Sequence, residues 1–187
     1  MGAFKPLLPF GNQTVIESTV ANLRAGGANQ IVVVVGHRGD ELKEKLAAPD
    51  VDFAINSNPD SPMAASIRSG MYFVGPASAA VLITPADHPA ISSDTIKSIV
   101  SAWQSGAVLV QPEYEGHGGH PVLVDRRYFK ELLHLDAESG LRGFFAAHRD
   151  DTLRLVVKSP FIARDLDTWE DYVALHEQVF GQPPPEI

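Results

Sequence analysis

Five consecutive β-branched residues, Ile31-Val32-Val33-Val34-Val35, constrain this 187-residue chain more than any other stretch. With no polar residue in alternation, the run cannot turn one face to water. It reads as a strand buried on both faces of a parallel sheet. Parallel neighbours need long crossover connections, so helices are expected on both faces. The sequence supplies them. Thr14-Val15-Ile16-Glu17 is a capping box that opens a helix with Val15, Ile16, Val20 and Leu23 on one stripe, closed at Gly26-Gly27. The pattern then predicts a helix over 40–48, a strand over 51–55, a helix over 64–72 and a buried strand over 79–84. Ser92 or Ser93 caps a helix carrying Ile96, Ile99, Val100 and Trp103. Strands are expected over 107–111 and 121–125, a helix over 126–135, a short helix over 140–148 and an edge strand over 152–157. A second capping box, Thr168-Trp169-Glu170-Asp171, opens a last helix to 180, and Pro183-Pro184-Pro185 ends it in a flexible tail over 182–187. Without repeats or linkers, residues 1–187 form one α/β domain, a three-layer α/β/α sandwich on a Rossmann-like, mostly parallel sheet.

Composition narrows the function. A formal net charge of −8 argues against a sequence-independent grip on nucleic acid or on an anionic membrane, both of which need clustered Lys and Arg. A single nucleotide, held by a few local groups, stays within reach. The absence of cysteine removes disulfides, thiolate metal sites and cysteine nucleophiles together, and suits a reducing compartment. No signal peptide and no apolar run of membrane-spanning length is present, so the expectation is a soluble cytoplasmic protein.

In open α/β sheets ligands bind beyond the carboxyl ends of strands, so the loops there carry the candidates. Lys5 lies on a loop rich in Pro and Gly, where an ammonium can meet a phosphate, although a lysine near a terminus is also commonly just solvated. Asp87, three residues past the strand of residues 79–84, can bind a hard divalent cation or make an Asx-turn before Pro89. Asp165 and Asp167 lie two apart, so in extended chain both face the same way, and either can meet Asp87. Acidic residues before a helix also simply complement its dipole. Ser66 sits near a helix start, where its hydroxyl faces either a ligand or its own turn. His117 and His120, with Asp87 and His88, permit a zinc-hydrolase reading, which a flexible Gly-rich loop does not favour.

Met1, Gly2, Lys5, Leu7, Leu8, Pro9 and Gly11, in that order, resemble the back half of the signature of the sugar-nucleotide and molybdenum-cofactor nucleotidyltransferases. Four further motifs agree with that family in order and spacing: Met63 to Gly70 around Ser66, Asp87-His88-Pro89, Gly119-His120-Pro121-Val122, and Asp165-Leu166-Asp167-Thr168. Two departures stand out, Pro62 where the family has Gly and Trp169 where it has Pro. The resemblance implies a nucleotide-diphospho-sugar-transferase type of fold. It implies nucleotide contacts at Gly2, Lys5, Pro9, Asn58, Ser66 and Asp87, an acceptor pocket at Gly119, His120 and Pro121, and Mg²⁺ on Asp87 with Asp165 or Asp167. Lys5 and Asp87 are then the catalytic pair. The motifs look most like the molybdenum-cofactor cytidylyltransferase branch, with CTP and a molybdopterin as substrates; a guanylyltransferase using GTP and a sugar-phosphate nucleotidyltransferase are the alternatives.

In that family the signature follows a buried strand and a Leu-Ala-Ala-Gly-x-Ser-x-Arg loop that wraps the triphosphate, neither of which is found in these 187 residues. A chain of this kind can fold like the family and catalyse poorly, or serve as a non-catalytic nucleotide- or cofactor-binding accessory protein. Two open backbone edges in the middle of a sheet are costly. The strand Ile31–Val35 is therefore expected to be paired on both sides: by residues upstream or near the N-terminus, by a neighbour in a homodimer, or by the strand of residues 79–84.

Overall fold

The structure, a computed structural model, describes residues 4–58 and 60–185. A short hairpin, β1 (Pro9–Phe10) and β2 (Gln13–Thr14), leads into α1 (Val15–Ala25). The Thr14 hydroxyl accepts from the Glu17 backbone and the Glu17 carboxylate accepts from Thr14 N–H, the reciprocal cap expected of that sequence. Next come β3 (Ile31–Val35), α2 (Gly39–Leu46), β4 (Val51–Ile55), α3 (Met63–Met71) and β5 (Ala80–Ile83). The second half carries α4 (Ser93–Gln104), β6 (Leu109–Tyr114), β7 (His117–Gly118), β8 (Val122–Asp125), α5 (Phe129–Leu132), α6 (Gly140–Ala147), β9 (Thr152–Val156) and α7 (Trp169–Phe180).

The architecture is the expected α/β sandwich with helices on both faces. Strands β3 and β4 pair in parallel, and β6 pairs β9 in parallel. Strand β8 runs antiparallel between β5 and β6, so the larger sheet is mixed. Along β8 the side chains alternate: Val122 and Val124 enter the core under α3, α5 and α6, whereas Leu123 enters the core under α4. Strand β3 likewise sends Ile31, Val33 and Val35 against α1 and α2, while Val32 and Val34 receive Gly70 of α3. A Cβ on Gly70 would stand 3.0 Å from Val34, so the small residue sets how closely helix and strand approach. No helix among the described residues is long and apolar enough to cross a membrane.

The pairing of β3 departs from expectation. Among the described residues it pairs β4 alone, and β5 belongs to the other sheet, so neither the direct apposition nor a filled slot is found. Ile31 N–H donates to Asp50 O, and Val35 O accepts from Asn56 N–H. By the alternation of a strand, the backbone groups of Val32 and Val34 therefore face away from β4. They look into a cleft of about 720 Å³ bounded by residues 31–34 on one wall and 79–84 on the other. The cleft also explains why β5, which reads as fully buried, is only half-buried at all four residues. The sheets are bridged by helices: α1 packs on α4 at Gly26 and Ile96 on one side, and on the other α3 lays Gly70 on β3 while Ala64, Ile67 and Met71 enter the core of β6 and β8.

Two elements shift. Residues 126–135 are not one helix: Asp125 accepts from Arg127 N–H, a 3-10 turn follows over Arg126–Tyr128, and α5 has only four residues. Strand β6 runs on through Pro112, because Glu113 O accepts from Val157 N–H on the β9 side while Pro112 O accepts from Gly119 N–H on the other. The N–H that proline lacks thus points at the bend between β7 and β8, not into the β9 ladder.

Candidate active site

The N-terminal loop is fixed by the C-terminal helix. Lys5–Leu7 forms a 3-10 turn, after which Leu8 and Phe10 plug into a core with Leu166, Tyr172 and Leu175. The Tyr172 hydroxyl donates to Pro9 O, and Gly11 N–H donates to His176 Nε2 at 3.3 Å. Gly11 has φ +63°, and a Cβ there would lie 2.8 Å from the Phe180 ring, so turn and packing both demand glycine. Pro9 is therefore anchored through its carbonyl, and Gly2 lies outside the described residues. Lys5 extends from this loop to the acidic segment, its Nζ 3.1 Å from Asp167 Oδ1.

The acidic segment is ordered by the residue between its aspartates. Leu166 is fully buried, so Asp165 and Asp167 project on the opposite, exposed side, as their spacing predicts. Each aspartate meets a different motif. Asp167 pairs with Lys5, and Asp165 Oδ1 lies 2.6 Å from Nε2 of His88. Asp87 is half-buried in the turn after β5. That turn is clamped to α1, with Thr19 Oγ1 donating to Ala86 O and both Ser18 Oγ and Asn22 Nδ2 donating to Pro89 O.

The His120 ring stands edge-on to that of His88, centroids 5.7 Å apart, with Nδ1 3.3 Å from Ile83 O. Burial pushes the His120 pKa below its ordinary value, against the Ile83 carbonyl and the negative fields of Asp165 and Asp87. Both carboxylates are thus felt at one imidazole. Gly119 is buried, and a Cβ on it would lie 2.3 Å from Ile162 O. The space its missing side chain frees is taken by the Ile162 backbone, which also accepts from His120 N–H at 2.7 Å. Gly119 and Pro121, both buried, hold His120 in place. His117 is exposed on the β7 hairpin, with Nδ1 toward Glu115 O, so the two histidines turn to different partners. No group of three or more His, Asp or Glu among the described residues is arranged to hold a metal, which leaves the zinc reading without a ligand set. Asp87, Asp165 and Asp167 likewise do not form a ready-made three-carboxylate cage.

Ser66 sits half-buried in the first turns of α3, and its hydroxyl accepts from Asn56 Nδ2 at 3.0 Å. Asn56 also donates to Ser61 Oγ at 3.1 Å and accepts from Asn58 N–H at 3.1 Å. The exposed Asn58 is thus backbone-pinned by Asn56, a buried polar residue the sequence reading passed over. Arg38 was passed over as well: its guanidinium stacks 4.4 Å over the Phe4 ring, beside Lys5, while bonding Glu41. The available signal was a polar residue just past a buried strand: Asn56 directly after β4, and Arg38 three residues after β3.

Comparison with known proteins gives the family and the fold. Residues 1–152 match the model of the MobA-like NTP transferase domain, a span that ends before the aspartate pair. The chain is 27% identical over 180 residues to molybdenum cofactor cytidylyltransferase of Escherichia coli, covering 95% of this chain and 90% of that protein. Among solved structures, Rv0371c of Mycobacterium tuberculosis superposes with TM-score 0.84 at 25% identity, over 95% of this chain and 90% of that one. A manganese complex of the same mycobacterial protein superposes with TM-score 0.80 at 24% identity, over 92% and 91% of the two chains.

Proposed function

The chain belongs to the family of MobA-like NTP transferases, and from that premise we propose that it moves CMP from CTP onto a phosphorylated acceptor, molybdopterin first, with release of pyrophosphate. The observation that carries the site is the meeting of four separated motifs: Lys5 on Asp167, His88 of the Asp-His-Pro turn on Asp165, and His120 against His88. An oxygen of the acceptor phosphate attacks the α-phosphorus, a new P–O bond forms, and the bond to the β-phosphate breaks with its electrons leaving on pyrophosphate. No covalent enzyme intermediate is needed. The chain's part is positioning and charge neutralisation.

Lys5 supplies an ammonium for the triphosphate, exchanging Asp167 for a phosphate oxygen. Asp87 and Asp165 are the carboxylates that would hold a divalent cation. The donor set suits Mg²⁺ or Mn²⁺, which take one or two carboxylates and complete their shell with substrate phosphates and water. When bound, the cation offsets charge on the reacting phosphates. Ser66, Asn58 and Pro9 border the nucleotide, and His120, held by Gly119 and Pro121, borders the acceptor.

Calorimetric titration with CTP and with GTP, each with Mg²⁺, tests the choice of base. Tighter binding of CTP by tenfold or more, about 1.4 kcal/mol, is the expected result. A preference for GTP moves the protein to the guanylyltransferase branch.

A further inference from the structure

On the reading of Asp165 as a ligand for a divalent cation, we propose that His88 is a positioning residue that aims this carboxylate. His88 occupies the middle position of Asp87-His88-Pro89. It is 2% exposed, whereas the Asp165 side chain is 59% exposed. An exposed carboxylate is therefore tethered at Oδ1 to a buried ring, leaving Oδ2 for a ligand. Leu166, fully buried next to Asp165, fixes the backbone from which the tether acts.

The tether requires a proton on Nε2, and the surroundings of the ring provide for that. His88 Nδ1 and Thr84 Oγ1 are both buried without a hydrogen-bond partner among the described residues. Thr84 and His88 line the same small cavity, of about 10 Å³. Nε2 stands 2.6 Å from Asp165 Oδ1 and is the ring nitrogen that donates to this carboxylate. Outer partners of this kind fix ligand orientation, and their loss costs typically about 10- to 100-fold in metal affinity.

The experiment titrates Mn²⁺ alone into the wild-type chain, His88→Gln, His88→Leu, Asp165→Asn and the His88→Leu/Asp165→Asn double variant. Free Mn²⁺ is followed by electron paramagnetic resonance, and thermal unfolding of each variant is recorded. His88→Leu is expected to weaken Mn²⁺ about tenfold or more, and His88→Gln, which keeps an N–H donor, to restore most of the affinity. The double variant should bind no more weakly than Asp165→Asn, because nothing remains to aim. Wild-type affinity in His88→Leu, with weakening in Asp165→Asn, overturns the positioning role and leaves the cation site standing. No weakening in Asp165→Asn overturns the cation reading itself. Should His88→Leu fail to fold, the imidazole ¹⁵N spectrum of the wild-type chain decides: a proton on Nε2 supports the tether, and a ring protonated on Nδ1 alone overturns it.

Discussion

The Lys5 ammonium and the Asp167 carboxylate lie 3.1 Å apart, joining two segments separated by 162 residues. Their side chains are 30% and 74% exposed, which places the pair at the surface, where such pairs contribute about 0–1 kcal/mol. Its value to the fold is therefore small, and the role proposed for Lys5 is toward the triphosphate.

Lys5→Met separates the two. Thermal unfolding should stay close to wild type, whereas affinity for CTP with Mg²⁺ falls about tenfold or more, the loss of one charge-assisted contact of about 1.5–3 kcal/mol. A large fall in melting temperature with unchanged affinity would make Lys5 a structural residue.

The open edge of β3 predicts a split pattern of amide exchange. The N–H groups of Ile31 and Val33 lie on the β4 side and those of Val32 and Val34 face the cleft. Hydrogen exchange followed by NMR should show fast exchange at Val32 and Val34 beside slow exchange at Val33. Uniform protection across the strand would mean that this edge is paired in solution.

His120 predicts a pH dependence of stability. Burial holds its folded-state pKa below the ordinary 6.5. Below that value the unfolded chain takes up a proton that the folded chain refuses, so this residue's contribution falls as pH drops through about 6.5 and levels off below the folded pKa. Denaturant midpoints measured across this range should fall less steeply in His120→Gln than in wild type. Identical slopes would show that His120 titrates alike in both states.

Much of the fold was legible because it follows local rules. The β-branched run gave β3 at its observed bounds, and the two S/T-x-x-acid caps gave the starts of α1 and α7. The pairing of β3 was not legible, since periodicity reports that a strand is buried and not what lies beside it. The strand running through Pro112 was missed because proline ordinarily stops a ladder, and only the bend at Gly119 makes its missing N–H harmless. At the candidate site, the order of motifs singled out Lys5, Asp87 and the aspartate pair, and the structure brings Lys5 to Asp167 and His88 to Asp165. Their division of labour was not readable, because whether Asp165 meets His88 and Asp167 meets Lys5 depends on contacts between distant segments. Gly119 shows the limit from the other side: its composition suggested ligand approach, and the backbone of Ile162 fills that space.

The central claim is that this chain transfers a nucleotidyl group through Asp87. Its most direct measurement is pyrophosphate release from CTP and GTP, with Mg²⁺ or Mn²⁺ and a molybdopterin acceptor, by the wild-type chain, Asp87→Asn and Asp94→Asn. Asp94 sits in the first turn of α4, where a carboxylate only complements the helix dipole. Cation-dependent release from CTP, lowered about a hundredfold or more in Asp87→Asn and unchanged in Asp94→Asn, is the predicted result. Release from neither nucleotide would contradict transfer itself, and equal rates in wild type and Asp87→Asn would contradict the role of Asp87 in it.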